Sequence, residues 1–122
     1  MALCLVTGGA GFIGSHVVEA LMDRGDKVRV LDSFYTGRRE NLADVWDQID
    51  VVEGDLRDIR TVRRAAKGVE LVFHLAAMVS VPESMIDPLG AEAVNAGGTL
   101  NVLTAAREAG VRRLVLSSTC AV

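Results

Sequence analysis

The chain of 122 residues carries 13 Lys and Arg against 16 Asp and Glu, a net charge of −3 at pH 7, and half of it is apolar. A chain of this length buries roughly 65% of the surface it exposes when unfolded, enough for one hydrophobic core and too little for two. Mild acidity argues against sequence-independent binding to nucleic acid or polyphosphate, which needs a concentrated Lys/Arg surface. The basic pairs Arg38-Arg39, Arg63-Arg64 and Arg112-Arg113 are scattered among carboxylates and read as solvated faces. With no apolar run of membrane-spanning length and no charged leader before an apolar stretch, neither a membrane span nor a signal peptide is expected, which points to the cytoplasm. Cys4 and Cys120 lie in apolar segments and form no Cys-x-x-Cys or Cys/His cluster, so both are expected to be reduced and no metal site is expected.

Short β-rich apolar runs alternate with longer helical patterns. Ala2–Val6 reads as a buried strand, and Phe12–Arg24 as a helix with Ile13, Val17 and Leu21 on one face. Lys27–Leu31 is a second strand. The segment Asn41–Asp47 fits a short helix or a loop. Ile49–Glu53 is a third strand, Ile59–Ala66 a helix and Glu70–Leu75 a fourth strand. A long helix is expected from Pro88 to Ala109, since Pro suits a first helical turn and Gly110 a C-terminal cap. Arg112–Ser117 is the fifth strand. Continuous apolar strands separated by helices call for a parallel sheet covered on both faces, because each parallel connection needs a crossover. Right-handed crossovers and a glycine turn after the first strand give an α/β, doubly wound, Rossmann-like sheet in the order 3-2-1-4-5. Its ligand crevice lies where the winding reverses.

The segment Thr7-Gly8-Gly9-Ala10-Gly11-Phe12-Ile13-Gly14 directly follows the first strand and opens the first helix. Gly9, Gly11 and Gly14 fit G-x-G-x-x-G, while Gly8, Gly11 and Gly14 fit G-x-x-G-x-x-G. Glycine serves a tight turn, close approach of a pyrophosphate to the backbone, and close packing of helix on sheet. Free N–H groups and the positive end of the helix dipole then hold phosphate. A bare strand-to-helix turn without a ligand would need the same glycines. What tips the balance is Asp32, 18 residues after Gly14 at the end of the second strand. There a carboxylate can accept both hydroxyls of an adenosine ribose, and it repels a 2′-phosphate, so NAD is favoured over NADP. Arg38 and Arg39 in the same loop pull the other way, since an Arg there can accommodate that phosphate.

Together these residues resemble the extended short-chain dehydrogenase/reductase family, in its NAD-dependent epimerase/dehydratase group that works on nucleotide sugars, and the resemblance runs the length of the chain. Asp32-Ser33 leading to Thr36-Gly37-Arg38 is similar to the family's ribose-binding loop. The resemblance implies that Asp55 and Leu56, after strand three, contact adenine, though Asp55 also fits a helix cap or turn. It places Leu75, Ala76, Ala77 and Val79, after strand four, along the cofactor crevice. His74 and His16 read as structural. Asn95-Ala96-Gly97-Gly98-Thr99 resembles an N-x-x-G-T helix start, with Asn95 either a ligand contact or a structural hydrogen bonder. Ser117-Ser118-Thr119 resembles the active-site Ser/Thr run, with Ser117 near cofactor and Thr119 as the catalytic hydroxyl.

The family's chemistry also needs a Tyr whose pKa is lowered by a Lys four residues on. The only tyrosine here is Tyr35, in the adenosine-side loop, and four residues after it stands Arg39. The expectation is therefore the NAD-binding portion of a nucleotide-sugar enzyme that lacks its substrate-binding C-terminal region and is inactive by itself. The alternative is a stand-alone or engineered dinucleotide-binding module without turnover. A nucleotide-sugar substrate is expected only with the missing region, and self-association is expected through helix 88–109 or edge strand 112–117.

Overall fold

A computed structural model describes residues 2–34, 38–75 and 97–116. Five parallel strands, β1 (Leu3–Thr7), β2 (Lys27–Asp32), β3 (Asp50–Glu53), β4 (Leu71–His74) and β5 (Arg113–Leu116), form one sheet in the order β3-β2-β1-β4-β5. The helices are α1 (Phe12–Asp23), α2 (Ile59–Ala66) and α3 (Gly98–Ala109). This is the doubly wound order expected from the sequence, and each strand lies within a residue or two of its expected bounds. Of the long helix expected from Pro88, the part from Gly98 is present and ends at Gly110 in the left-handed conformation (φ 74°), which glycine adopts without strain. The segment 76–96 lies outside the described residues. Asn41–Asp47, open between helix and loop, spans parts of two short 3-10 turns, Arg39–Leu42 and Trp46–Gln48.

Alternation along the strands divides the core between the two sheet faces. Leu5 and Leu31 point to one face, where Val62, Ala65 and Ala66 of α2 meet Val102, Ala105 and Ala106 of α3 around Val72. Cys4, Val6, Val28 and Val30 point to the other and pack against Val18 and Leu21 of α1 and against Leu42. Cys4 is a buried free thiol whose pKa is raised, chiefly by burial. Small alanines on α2 and α3 let the two helices lie close. Asp58 begins α2, its carboxylate accepting from the Arg60 N–H at 3.0 Å.

One sequence expectation is corrected. The buried residues of α1 are Gly14, Ser15, Val18 and Leu21, whereas Ile13 is two-thirds exposed and Val17 only partly covered. Gly14 faces the turn before it at a distance only a residue without a side chain allows, and the buried side of the helix continues from it through Val18 and Leu21. Among the described residues, no helix is long and apolar enough to cross a membrane.

Candidate functional site

At the C-terminal end of β1 the chain enters the glycine turn. Gly8 takes φ 74°, a conformation that a side chain would strain, and its N–H donates to the Leu31 carbonyl of β2 at 2.8 Å. Gly11 is extended at the helix N-cap and supplies no side-chain cap, so the first-turn amides of Phe12, Ile13 and Gly14 have no acceptor within the helix. A Cβ on Gly14 would fall 2.1 Å from the Gly8 carbonyl oxygen. Glycine is therefore required there by contact, independently of backbone angle. Phe12 and Ile13 stand out into solvent, 75% and 66% exposed, around a helix end that favours an anion.

Asp32 closes the other side of this turn. It is buried, with Oδ2 accepting from the Ala10 N–H at 3.0 Å and Oδ1 accepting from the Phe34 N–H at 2.8 Å. An ionised carboxylate has four lone-pair sites, so both oxygens keep capacity for a further donor such as a hydroxyl. Phe34 has φ 61°, in the left-handed region that bulky residues avoid. It is held there by the Asp32 bond and by its packing on Trp46, ring centroids 6.4 Å apart. The Arg39 guanidinium lies over the Trp46 ring, 4.4 Å from its centre. These residues, with Arg38, Glu40, Val51 and Glu53, line an open concavity of about 640 Å³ beside the loop that follows β2. No glycine-turn residue lines it.

After β3, Asp55 makes the turn that leads to α2, accepting from the Arg57 N–H at 2.8 Å and pairing with the Arg57 guanidinium. Hydrogen bonding to Arg57 holds its pKa below the usual carboxylate value against a smaller effect of burial. Asp55 is thus a turn former, and the cap is Asp58. Leu56 buries its side chain against Gly98, where a Cβ would meet the leucine at 2.8 Å, and its carbonyl accepts from Asn101 Nδ2 at 2.7 Å.

Sequence reading missed how β4 is joined to this site. Thr7 and His74 are register partners closing adjacent strands, both buried. His74 Nδ1 lies 2.6 Å from Thr7 Oγ1, His74 Nε2 lies 3.0 Å from Thr99 Oγ1, and Thr7 Oγ1 accepts from the Leu75 N–H at 3.0 Å. Burial lowers the His74 pKa, which favours the neutral ring. Two polar residues ending neighbouring apolar strands were the available signal. These bonds hold His74 in the junction of β1, β4 and α3; His16 is exposed, edge-on to Phe12 at 4.8 Å.

The structure brings together Gly8, Gly11, Phe12, Ile13, Gly14 and Asp32 around one turn, with Ser33 and Arg38 in the loop that follows. Asp55, Leu56 and Leu75 follow the C-terminal ends of β3 and β4 on the same edge of the sheet. Thr36, Gly37, Ala76, Ala77, Val79, Asn95, Ser117 and Thr119 lie outside the described residues. Among the described residues no three of His, Cys, Asp and Glu gather into a metal-holding group.

The family model described as "NAD dependent epimerase/dehydratase family" matches residues 4–122. The UDP-glucose 4-epimerase of Azospirillum brasilense is 40% identical over 120 residues, which are 97% of this chain and 34% of that protein. A 3 beta-hydroxysteroid dehydrogenase/Delta 5-->4-isomerase of Mycobacterium tuberculosis is also 40% identical, over 93% of this chain and 30% of its own length. Among solved structures, the Thermus thermophilus UDP-glucose 4-epimerase in complex with NAD matches with a TM-score of 0.83 and 46% identity. It covers 92% of this chain and 36% of that one. The chain spans about a third of the length of these relatives.

Proposed function

The chain belongs to the NAD dependent epimerase/dehydratase family, and from that premise we propose that its 122 residues are the NAD-binding portion of a nucleotide-sugar epimerase or dehydratase, most like UDP-glucose 4-epimerase. The observation that carries this reading is the joint placement of an uncapped helix N-terminus and the Asp32 carboxylate on the two sides of one peptide, Ala10. The turn fits the cofactor: the Gly14 contact leaves no room for a side chain between turn and helix, which keeps backbone amides at the surface where a pyrophosphate would lie.

In this reading the first-turn amides of α1 at Phe12 and Ile13 hold phosphate. Asp32 accepts the ribose hydroxyls, with Ser33, Thr36, Gly37 and Arg38 around them. Asp55 and Leu56 border the adenine, Leu56 through its main chain because its side chain is committed to the core. Leu75, Ala76, Ala77, Val79, Asn95 and Ser117 border the rest of the cofactor, and Thr119 holds the reacting hydroxyl oxygen. When bound, NAD supplies a hydride acceptor. These 122 residues contain no Tyr-x-x-x-Lys, so this segment alone binds cofactor without turning over sugar. Equal identity to an epimerase and to a steroid enzyme fits a matched region that serves the cofactor and leaves the substrate to other residues. We place the protein in the cytoplasm. We read Leu100 and Leu103 on α3, and Val115 and Leu116 on β5, all substantially exposed, as surfaces for self-association.

Calorimetric titration tests the binding reading. NAD should bind, NADP more weakly, and Asp32→Ala should lose about tenfold or more in NAD affinity, as expected for hydrogen bonds to a charged acceptor. Unchanged affinity in Asp32→Ala removes Asp32 from the site, and UDP-galactose turnover by this polypeptide alone overturns the claim that it only binds.

A further inference from the structure

We propose that Asn41 is a positioning residue for the phosphate-holding turn: its side-chain amide fixes the Ala10–Gly11 peptide and so couples the loop after Asp32 to the N-terminus of α1. The inference rests on the NAD-binding reading above and adds to it a residue that touches no cofactor.

Ala10 is fully buried between the two halves of the site, and all of its main-chain polar groups are engaged across the chain. Its N–H donates to Asp32 Oδ2 at 3.0 Å. Its carbonyl oxygen accepts twice, from the Arg38 N–H at 3.0 Å and from Asn41 Nδ2 at 2.7 Å. The second bond is the shorter, and it is the only one of the three that a side-chain substitution in the loop removes without touching the carboxylate. That carbonyl shares its peptide plane with the Gly11 N–H, which donates to the Gly8 oxygen at 3.1 Å on the opposite side. A peptide held at both ends cannot rotate freely. Gly11 is the N-cap of α1, so the orientation of this plane sets the direction of the amides at Phe12 and Ile13.

Asn41 reaches Ala10 because its neighbour is anchored. Leu42 is 1% exposed and plugs the core face that also holds Ala10, Val30 and Val18. The 3-10 turn Arg39–Leu42 then carries Asn41 back over the glycine turn, although Asn41 itself is at the surface. Asn is the residue type this contact needs. A carbonyl oxygen requires a donor, the reach is short, and aspartate of the same shape would set a carboxylate against the carbonyl dipole.

The test compares the unchanged chain with Asn41→Ala and Asn41→Asp in three measurements: NAD titration, amide hydrogen exchange of the ligand-free protein, and urea unfolding. We expect NAD affinity to fall about five- to tenfold in Asn41→Ala, the equivalent of one hydrogen bond, and further in Asn41→Asp. The Gly11 amide should exchange faster in both variants by more than the accompanying loss of global stability, at most about 0.5 M in the urea midpoint, accounts for, a split that general destabilisation would not produce. If Gly11 exchange and NAD affinity are unaltered in both variants, the inference is overturned. If Gly11 exchange quickens but the unchanged chain fails to bind NAD, the cofactor reading falls and the positioning of the turn by Asn41 is supported.

Discussion

Replacing Gly14 with alanine separates two reasons for glycine at this turn. The new methyl would sit 2.1 Å from the Gly8 oxygen and 2.9 Å from both the Gly8 carbonyl carbon and the Gly9 Cα, all backbone atoms that no rotamer change can move. Ordinary contact begins near 3.4 Å, so helix and turn must part by roughly 1.3 Å along that line. Overpacking of this kind costs about 1–3 kcal/mol, and the upper half of that range applies where the obstacle is main chain. Against it stands the better helix propensity of alanine, at most about 1 kcal/mol. The net expectation is a loss of roughly 1–2 kcal/mol, a fall of about 0.5–1 M in the urea midpoint. Trp46, the single tryptophan and partly buried, provides the fluorescence signal. Gly11→Ala is the informative partner. Its backbone is extended (φ −77°, ψ 173°) and its methyl would lie 3.3 Å from the Gly8 oxygen, so stability should change by no more than about 0.5 kcal/mol. NAD affinity should nonetheless fall in both, because both methyls disturb the surface offered to phosphate. A Gly14→Ala protein as stable as its parent, or a Gly11→Ala protein that loses as much stability as Gly14→Ala, would refute the reasoning from contact.

His74 should impose a pH dependence on folding. Its pKa is lowered in the folded chain, so between that value and the ordinary pKa near 6.5 the unfolded chain binds more protons, and stability is complete above about pH 6.5 and declines as pH falls, by no more than about 1.4 kcal/mol per pH unit from this group. Urea midpoints between pH 7.5 and 5 should show a decline that is absent in His74→Gln; an identical decline in the variant would assign the effect to other groups. Light scattering at rising protein concentration should show self-association that weakens when Leu100 and Leu103 are both replaced by Ser, or when Val115 and Leu116 are. A sharp monomer peak at high concentration would remove these faces as interfaces.

Much of this site was legible in the sequence because its demands are local. Gly14 is needed by a backbone atom six residues earlier, and Gly8 by its own φ. The position of Asp32 follows from where an apolar strand ends. The strand order followed from alternation of strand and helix together with the single handedness of crossovers. The buried face of α1 differs from its hydrophobic spacing for a reason of the same scale: the spacing favours Ile13, but the residue packed against the turn is Gly14, which has no hydrophobicity to display. Asp55 was open between cap and ligand contact, and the chain settles the local part by using Asp58 as the cap and Asp55 as the turn.

What the sequence determined by itself is the sheet, its order, and the residues whose roles depend on neighbours a few positions away. Tertiary structure alone decided that Thr7, His74 and Thr99 meet, that Leu56 closes on Gly98, and that the Asn41 amide reaches Ala10 across 31 positions. Local backbone geometry repeats with a period that residue types reveal. A hydrogen bond between distant segments depends on where the packed sheet and helices bring them, and only the folded chain supplies that distance.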